Sequence, residues 1–156
     1  MVKANKFLKV CKKCKAKCCK IGGSNFTEKE MKRVLKEGYK NYFYKVGKSI
    51  YELKSKKAIC PYLKNDNSCK IHKIKPLLCL CWPVFPKFKG KNKSYIIIDC
   101  PMTKILSKKE IKNCKKEASK LSKELIEIAF DYSTVSKSKT KLIDKRLKKF
   151  KVRSLK

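Results

Sequence analysis

Several residue types are scarce or missing in this chain of 156 residues. Glutamine is absent, histidine and tryptophan occur once each, and only three residues are arginine. Acidic residues number 12 against 44 basic ones, so the formal net charge of +32 is almost entirely lysine. Charge of this sign can recruit nucleic acid or anionic membranes, but we favour the interpretation that the lysines form a solvated surface coat.

Long hydrophobic runs are missing as well. The longest, at residues 77–85 and 95–98, are far shorter than the about 20 residues that a membrane-spanning helix needs. Residues 1–10 alternate lysine with short apolar pieces and contain no hydrophobic region of a signal peptide. We therefore expect a cytoplasmic protein that does not enter a membrane.

Motifs of the common catalytic classes are also lacking. The sequence has no carboxylate pair, no Ser/His/Asp set and no phosphate-binding glycine loop, and Gly22-Gly23 predicts only a turn. The sequence predicts no catalytic residue and leaves enzymatic activity undecided.

Cysteine, by contrast, is abundant. A secreted chain with ten cysteines would suggest disulfides, but without an export signal metal ligation is favoured. Disulfides in a heat-adapted intracellular protein remain the alternative. The cysteines are Cys11, Cys14, Cys18, Cys19, Cys60, Cys69, Cys79, Cys81, Cys100 and Cys114.

The first cysteines have the spacing of metal ligands. Cys11 and Cys14 form a CxxC motif, which lets two thiolates converge on one metal, and Cys18-Cys19 follows. Thiolates are soft ligands that select zinc or iron–sulfur centres over magnesium or calcium. If the chain is extended there, Cys18 and Cys19 point in opposite directions and serve two sites, or one packs into the core. Proline after Cys60 and Cys100 slightly favours iron–sulfur, because ferredoxin motifs also end in Cys-Pro.

Taken together, these motifs resemble the YkgJ-type cysteine-cluster family, described as zinc- or iron-chelating domains. The resemblance rests on Cys-x2-Cys-x3-Cys-Cys, on Cys60-Pro61-Tyr62-Leu63, on the run from Cys69 to Cys79 and on Trp82-Pro83. It implies a metal ion or 4Fe–4S cluster held by Cys11, Cys14, Cys18, Cys19, Cys60, Cys69, Cys79 and Cys100. Two departures are the three residues that separate Cys14 from Cys18, where the family usually has two, and Lys75-Pro76 in place of Arg-Pro.

Five other residues have positions that predict a role. Cys114 lies on an apolar helical face, so we predict that its thiol is buried and inert. The side chains of Cys79 and Cys81 point to the same side of the chain if their segment is extended. We interpret His72 as a packing residue rather than a ligand. Trp82 and Phe85 are expected to shield the metal centre from water.

The predicted fold is a small α+β domain with a loop-rich cysteine core, a few short strands and two or three helices. Capping boxes at Thr27/Glu30 and Ser107/Glu110 predict helices over 27–37 and 107–132. Apolar spacing gives the second helix one buried face, formed by Ile111, Cys114, Ala118, Leu121, Leu125, Ile128 and Tyr132. Strands are predicted at 42–46, 49–54 and 95–99, and a loop at 60–86.

The chain divides by composition into residues 1–132, the cysteine-cluster domain, and 133–156, a lysine-rich C-terminal helix or tail. The tail, with Tyr39, Tyr42, Phe43 and Tyr44, motivates an alternative function. In that interpretation zinc stabilises a nucleic-acid-binding module, with lysines on phosphates and tyrosines stacked on bases.

Overall fold

The computed structural model describes residues 2–130 and 137–155, and in this part the predicted α+β architecture is confirmed. The helices are α1 (Val2–Lys13), α2 (Glu28–Lys36), α3 (Leu77–Leu80), α4 (Lys108–Ala118), α5 (Lys123–Phe130) and α6 (Lys137–Leu147). The strands are β1 (Phe26–Thr27), β2 (Phe43–Lys45), β3 (Ile50–Leu53), β4 (Val84–Lys89), β5 (Asn92–Asp99) and β6 (Lys151–Leu155). Among the residues described, no helix combines the length and apolar character needed to cross a membrane.

One antiparallel sheet, in the order β1-β3-β2, packs against α2. The hairpin predicted at 42–46 and 49–54 is confirmed, with Phe43 opposite Leu53. Apolar side chains of the sheet lie on the face that packs on α2 and the cysteine-bearing loops, as expected for a sheet with one buried face. The resulting first core contains Phe26, Val34, Phe43, Leu53, Tyr62 and Ile71.

Glu30 links this sheet to the segment that carries Cys79. Its Oε2 accepts the Thr27 N–H at 2.9 Å, and the Thr27 hydroxyl accepts the Glu30 N–H, which confirms the predicted capping box. Its other oxygen, Oε1, accepts the N–H of Leu77 at 2.7 Å. Leu77 begins α3, so one carboxylate caps α2 and fixes the start of α3.

Replacement of Glu30 by alanine is expected to destabilise the fold by about 2 kcal/mol. Loss of the hydrogen bond from the Thr27 N–H costs about 1 kcal/mol, and leaving the half-buried Leu77 N–H unpaired costs about 1–3 kcal/mol. Urea unfolding measures the change. Glu28→Ala is the matched control, because Glu28 lies on the same turn and contacts only the exposed Lys32 among charged partners within 4 Å. Equal unfolding midpoints for the two variants would show that the Glu30–Leu77 bond carries no stability.

A second antiparallel sheet, in the order β4-β5-β6, forms the other core with α4 and α5. The strand predicted at 95–99 lies within β5, although only Ile97 and Ile98 of that segment are buried. The interval predicted as loop, 60–86, instead contains α3 and the start of β4. Apolar side chains of β4 and β5 pack on Leu121 and Leu125, and thus join sheet and helices.

The single helix predicted over 107–132 is wrong, because α4 and α5 are separate helices. The Ser122 hydroxyl accepts the N–H of Leu125 at 3.1 Å, so a serine inside the apolar pattern caps a new helix. Ala118, Leu121 and Leu125 are nonetheless buried on the same core. The capping box at Ser107/Glu110 is confirmed, whereas Tyr132 lies outside the described residues.

The segment after residue 136 packs on the rest of the molecule. β6 pairs with β5, and Ile143 of α6 is only 1% exposed. The Arg146 guanidinium donates hydrogen bonds to the carbonyls of Lys20, Lys57 and Ala58. Arg146 therefore joins the two loops that follow Cys19 and precede Cys60. The proposed boundary between residues 132 and 133 lies outside the described residues.

Candidate metal centre

Three separate stretches of the chain bring the eight predicted ligands into one region. Cys11 lies in the last turn of α1, Cys14 in the turn after it, and Cys18 and Cys19 in the 3-10 helix Lys17–Lys20. The other four come from the loops around Tyr62, from α3 and from the end of β5: Cys60, Cys69, Cys79 and Cys100. Each of the eight is a free, half-buried thiol.

The turn between Cys14 and Cys18 accommodates the longer spacing of this sequence. Lys15 and Ala16 adopt left-handed backbone conformations, with φ of 59° and 48°, although neither is glycine. The Ala16 N–H donates to the Cys11 carbonyl at 2.9 Å, and the Cys19 N–H donates to the Ala16 carbonyl at 3.0 Å. These bonds fold Cys18 and Cys19 back towards α1.

The expectation that Cys18 and Cys19 point in opposite directions is wrong. It assumed an extended chain, whereas consecutive residues of a 3-10 helix differ by only about 120°. The two thiols hydrogen-bond to each other, which together with burial raises the pKa of Cys18 well above its ordinary value. Both side chains therefore face the same region.

A cavity of about 180 Å³ lies between the two cores and is lined mainly by apolar side chains. Six of the predicted ligands line it: Cys11, Cys18, Cys19, Cys60, Cys69 and Cys79. A smaller cavity of about 10 Å³ adjoins it and is lined by Cys11, Cys14, Cys18 and Cys100. The structure thus brings all eight thiols to the walls of two adjoining cavities.

Burial keeps these thiols protonated in the metal-free protein. Burial, with a smaller contribution from neighbouring thiols, raises the pKa of Cys11, Cys60 and Cys79 to about 12. It also raises the pKa of Cys69 and Cys100. Since metals bind the thiolate, binding must displace these protons.

The chemistry of the donor set fits zinc or an iron–sulfur centre, because its ligands are thiols and the cavity walls are otherwise apolar. Within residues 2–130 and 137–155, no group of three His, Cys, Asp or Glu side chains already has an arrangement that could hold a metal ion. A bound metal would therefore draw the thiols inward from the cavity walls.

Lys75 places a positive charge in the wall of the large cavity. Its side chain is half-buried, and among the ion pairs of the described chain none includes it. Burial is the main cause of the raised pKa of Cys79, and the positive charge of Lys75 acts in the opposite direction by lowering that pKa. Arg33 holds the backbone here by donating to the carbonyls of Ile74 and Lys75. This cation faces a cavity lined with potential thiolates.

Aromatic side chains surround the thiols at the junction of the cavities. The Trp82 indole N–H donates to the Cys100 sulfur at 3.4 Å, and Trp82 packs edge-on against Phe85 and Phe150. Trp82 lines both cavities, whereas Phe85 lines the large one. Sequence analysis did not assign Phe150 or Arg146 to the centre, since nothing local in their patterns indicates contacts with residues so distant in the chain.

The remaining assignments have mixed outcomes. Cys79 and Cys81 do not share one side, because residues two apart in a helix such as α3 differ by about 200°. Cys79 lines the cavity, while Cys81 is fully buried in the second core beside the half-buried Cys114. His72 lines the large cavity, where burial and Lys75 lower its pKa.

Comparison with known proteins gives one match. Residues 10–101 match the family model CxxCxxCC, described as "Putative zinc- or iron-chelating domain". The matched range contains all eight thiols of the two cavities and excludes Cys114. No curated protein and no solved structure matches the chain.

Proposed function

We propose, because this chain belongs to the CxxCxxCC family of zinc- or iron-chelating domains, that its cysteine cluster holds a 4Fe–4S centre in preference to zinc alone. Metal chelation through cysteines is the function that family membership supports. The finer assignment rests on the large cavity and its six thiols. Its volume is comparable to that of an engineered cavity of about 150 Å³ that binds benzene. It therefore suits a group of several atoms better than a single ion.

The electrostatic surroundings support a thiolate-bound metal centre of either kind. A cluster or zinc ion bound by four thiolates carries net negative charge. Lys75 supplies a positive charge in the cavity wall, and no carboxylate of the described residues lies within 4 Å of it. The apolar lining excludes water and strengthens this attraction. The centre then has a redox or metal-handling role, and no catalytic residue is proposed.

The alternative, a zinc-stabilised module that binds nucleic acid, loses part of its support. Tyr39 and Tyr42 are half-buried and pack edge-on against Tyr62, and Phe43 is buried, so these rings offer less surface for stacking on bases than the sequence suggests. Of the four aromatics that motivated the alternative, only Tyr44 is exposed. This alternative then depends on the lysine coat, and binding that falls steeply with salt would support it.

Metal analysis of protein purified without oxygen and without added metal tests the proposal. About four iron atoms per chain, with visible absorption that bleaches on reduction, are expected for a 4Fe–4S centre. Zinc without colour would overturn the cluster assignment but leave metal chelation intact. Neither metal, together with failure of the reduced protein to bind either, would overturn the proposed function itself.

A further inference from the structure

The eight thiols do not line the two cavities equally. Cys14 and Cys100 line only the small cavity, whereas Cys19, Cys60, Cys69 and Cys79 line only the large one. Cys11 and Cys18 lie between them and line both. This division separates the ligands into two overlapping sets, each with at least four thiols.

We propose that the small cavity is a second metal site, in which Cys11, Cys14, Cys18 and Cys100 bind one thiophilic divalent ion of the zinc class. This site is distinct from the centre in the large cavity. The inference rests on the proposed function, since it assumes that the thiols of this region bind metal. It adds a site, its ligands and the class of ion that occupies it.

The size of the small cavity favours a single ion. Its volume of about 10 Å³ admits roughly one water-sized atom. The other lining residues include Trp82, Pro101, Met102 and Phe150, and a cavity of this volume is too small for a cluster. Four thiolates around one ion is the usual composition of a closed structural zinc site.

The backbone holds the four thiols of the small cavity near one another. α1, which carries Cys11, packs on the 3-10 helix Pro101–Lys104 directly after Cys100, and the Lys6 ammonium donates to the Ile105 carbonyl at 3.0 Å. The electrostatic neighbours of Cys11 agree with this, since after burial its pKa is raised by Cys18, Cys14 and, more weakly, Cys100.

The thiols of the large cavity are held by a different set of contacts. The Cys60 N–H donates to the Cys19 carbonyl at 2.8 Å, and Cys69 forms a β-bridge with Leu63. Burial is the main cause of the raised pKa of Cys60, and among the other thiols Cys79 and Cys69 contribute most to it. Removal of thiols from one cavity therefore leaves the scaffold of the other in place.

Binding at the small site converts four thiols into thiolates and releases four protons to solvent, giving a tetrathiolate complex of net charge −2. Lys17 lies in the wall of the same cavity and partly offsets that charge. The site requires no oxidant, reductant or further ligand. It therefore forms with the divalent ion alone.

Site-specific double variants of the full chain test the proposal. Reduced, metal-free protein is titrated with Zn²⁺, and with Co²⁺ as a spectroscopic probe of tetrathiolate binding. Cys14→Ser/Cys100→Ser should lose one ion per chain and retain binding in the large cavity. Cys60→Ser/Cys69→Ser should retain one ion with the tetrathiolate Co²⁺ spectrum. Cys81→Ser/Cys114→Ser is the control and should retain all binding.

Two results would overturn the second site. Either both ligand double variants lose all metal, which indicates one shared centre, or Cys14→Ser/Cys100→Ser loses none. If a double variant fails to fold, the single variants Cys14→Ser and Cys100→Ser are measured instead by competition with a chelator. Each should weaken the binding of one ion by at least about 10-fold, because one of its four ligands is lost, and parental affinity for both ions would overturn the second site. A parent protein that binds no metal would contradict the proposed function as a whole, and is thereby distinguished from failure of the second site alone.

Discussion

Replacement of Cys18 by serine is expected to weaken metal binding on the order of 100-fold, more than any other single change in the chain. Apparent binding free energies of structural zinc are about 10–16 kcal/mol, so one ligand of four accounts for about 3 kcal/mol, or about 100-fold. Cys18 lines both cavities and hydrogen-bonds to Cys19. Burial raises the pKa of five other thiols, and Cys18 contributes in each case: Cys11, Cys60, Cys69, Cys79 and Cys100.

Competition with a chromophoric chelator measures the affinity of the Cys18 variant. Cys114→Ser is the matched control, because Cys114 is also a half-buried free thiol but lines neither cavity. It should bind metal like the parent. If the Cys18 and Cys114 variants bind equally well, Cys18 is not a ligand and the proposed site in the small cavity is wrong.

Removal of the metal is expected to lower Tm by about 8–16 °C. A ligand at 1,000 times its Kd stabilises the folded state by about 4 kcal/mol, and each kcal/mol shifts Tm by about 2–4 °C in a protein of this size. Two of the three segments that carry the ligands, 11–19 and 60–79, contain only short helical turns and an isolated bridge after α1 ends. Metal binding can supply the folding energy that such segments lack.

Calorimetry with and without a chelator checks this expectation, and added Zn²⁺ should restore Tm. Mg²⁺ is the control ion, since it prefers oxygen ligands and should restore nothing. Hydrogen exchange shows where the metal stabilises the fold. After metal removal, backbone amides should lose protection from exchange mainly in residues 11–23 and 56–79 rather than in β4 and β5. An unchanged Tm after complete removal of metal would show that the fold does not depend on the centre.

Local signals predicted the parts of the fold that depend on local chemistry. The capping boxes at Thr27 and Ser107 were found where expected, because each is a reciprocal pair of hydrogen bonds within four residues. The hairpin of β2 and β3 followed equally from its short turn and apolar alternation. Helix periodicity placed Leu121 and Leu125 in the core but missed the cap at Ser122 that separates α4 from α5.

The candidate centre was less predictable because its geometry depends on distant residues. The spacing of the cysteines, together with the family resemblance, predicted eight metal ligands. In the structure these eight thiols line two adjoining cavities. That they bind metal stays a prediction. The mutual contact of Cys18 and Cys19 depends on the left-handed residues before them, which the sequence Lys15-Ala16 does not indicate. The charge of Lys75 and the hydrogen bonds of Arg146 arise from tertiary packing over long sequence separations.

The contacts of Arg146 and Phe150 also set an order of events during translation. Every thiol of the two cavities has been synthesised by residue 100, but Arg146 joins the cysteine-bearing loops and Phe150 covers Trp82 only after about 50 further residues. At about 5–20 residues per second, that interval lasts about 2–10 seconds. Until these residues are made, the carbonyls of Lys20, Lys57 and Ala58 lack their Arg146 partner and Trp82 lacks its contact with Phe150, so packing around the thiols is completed only by the C-terminal segment.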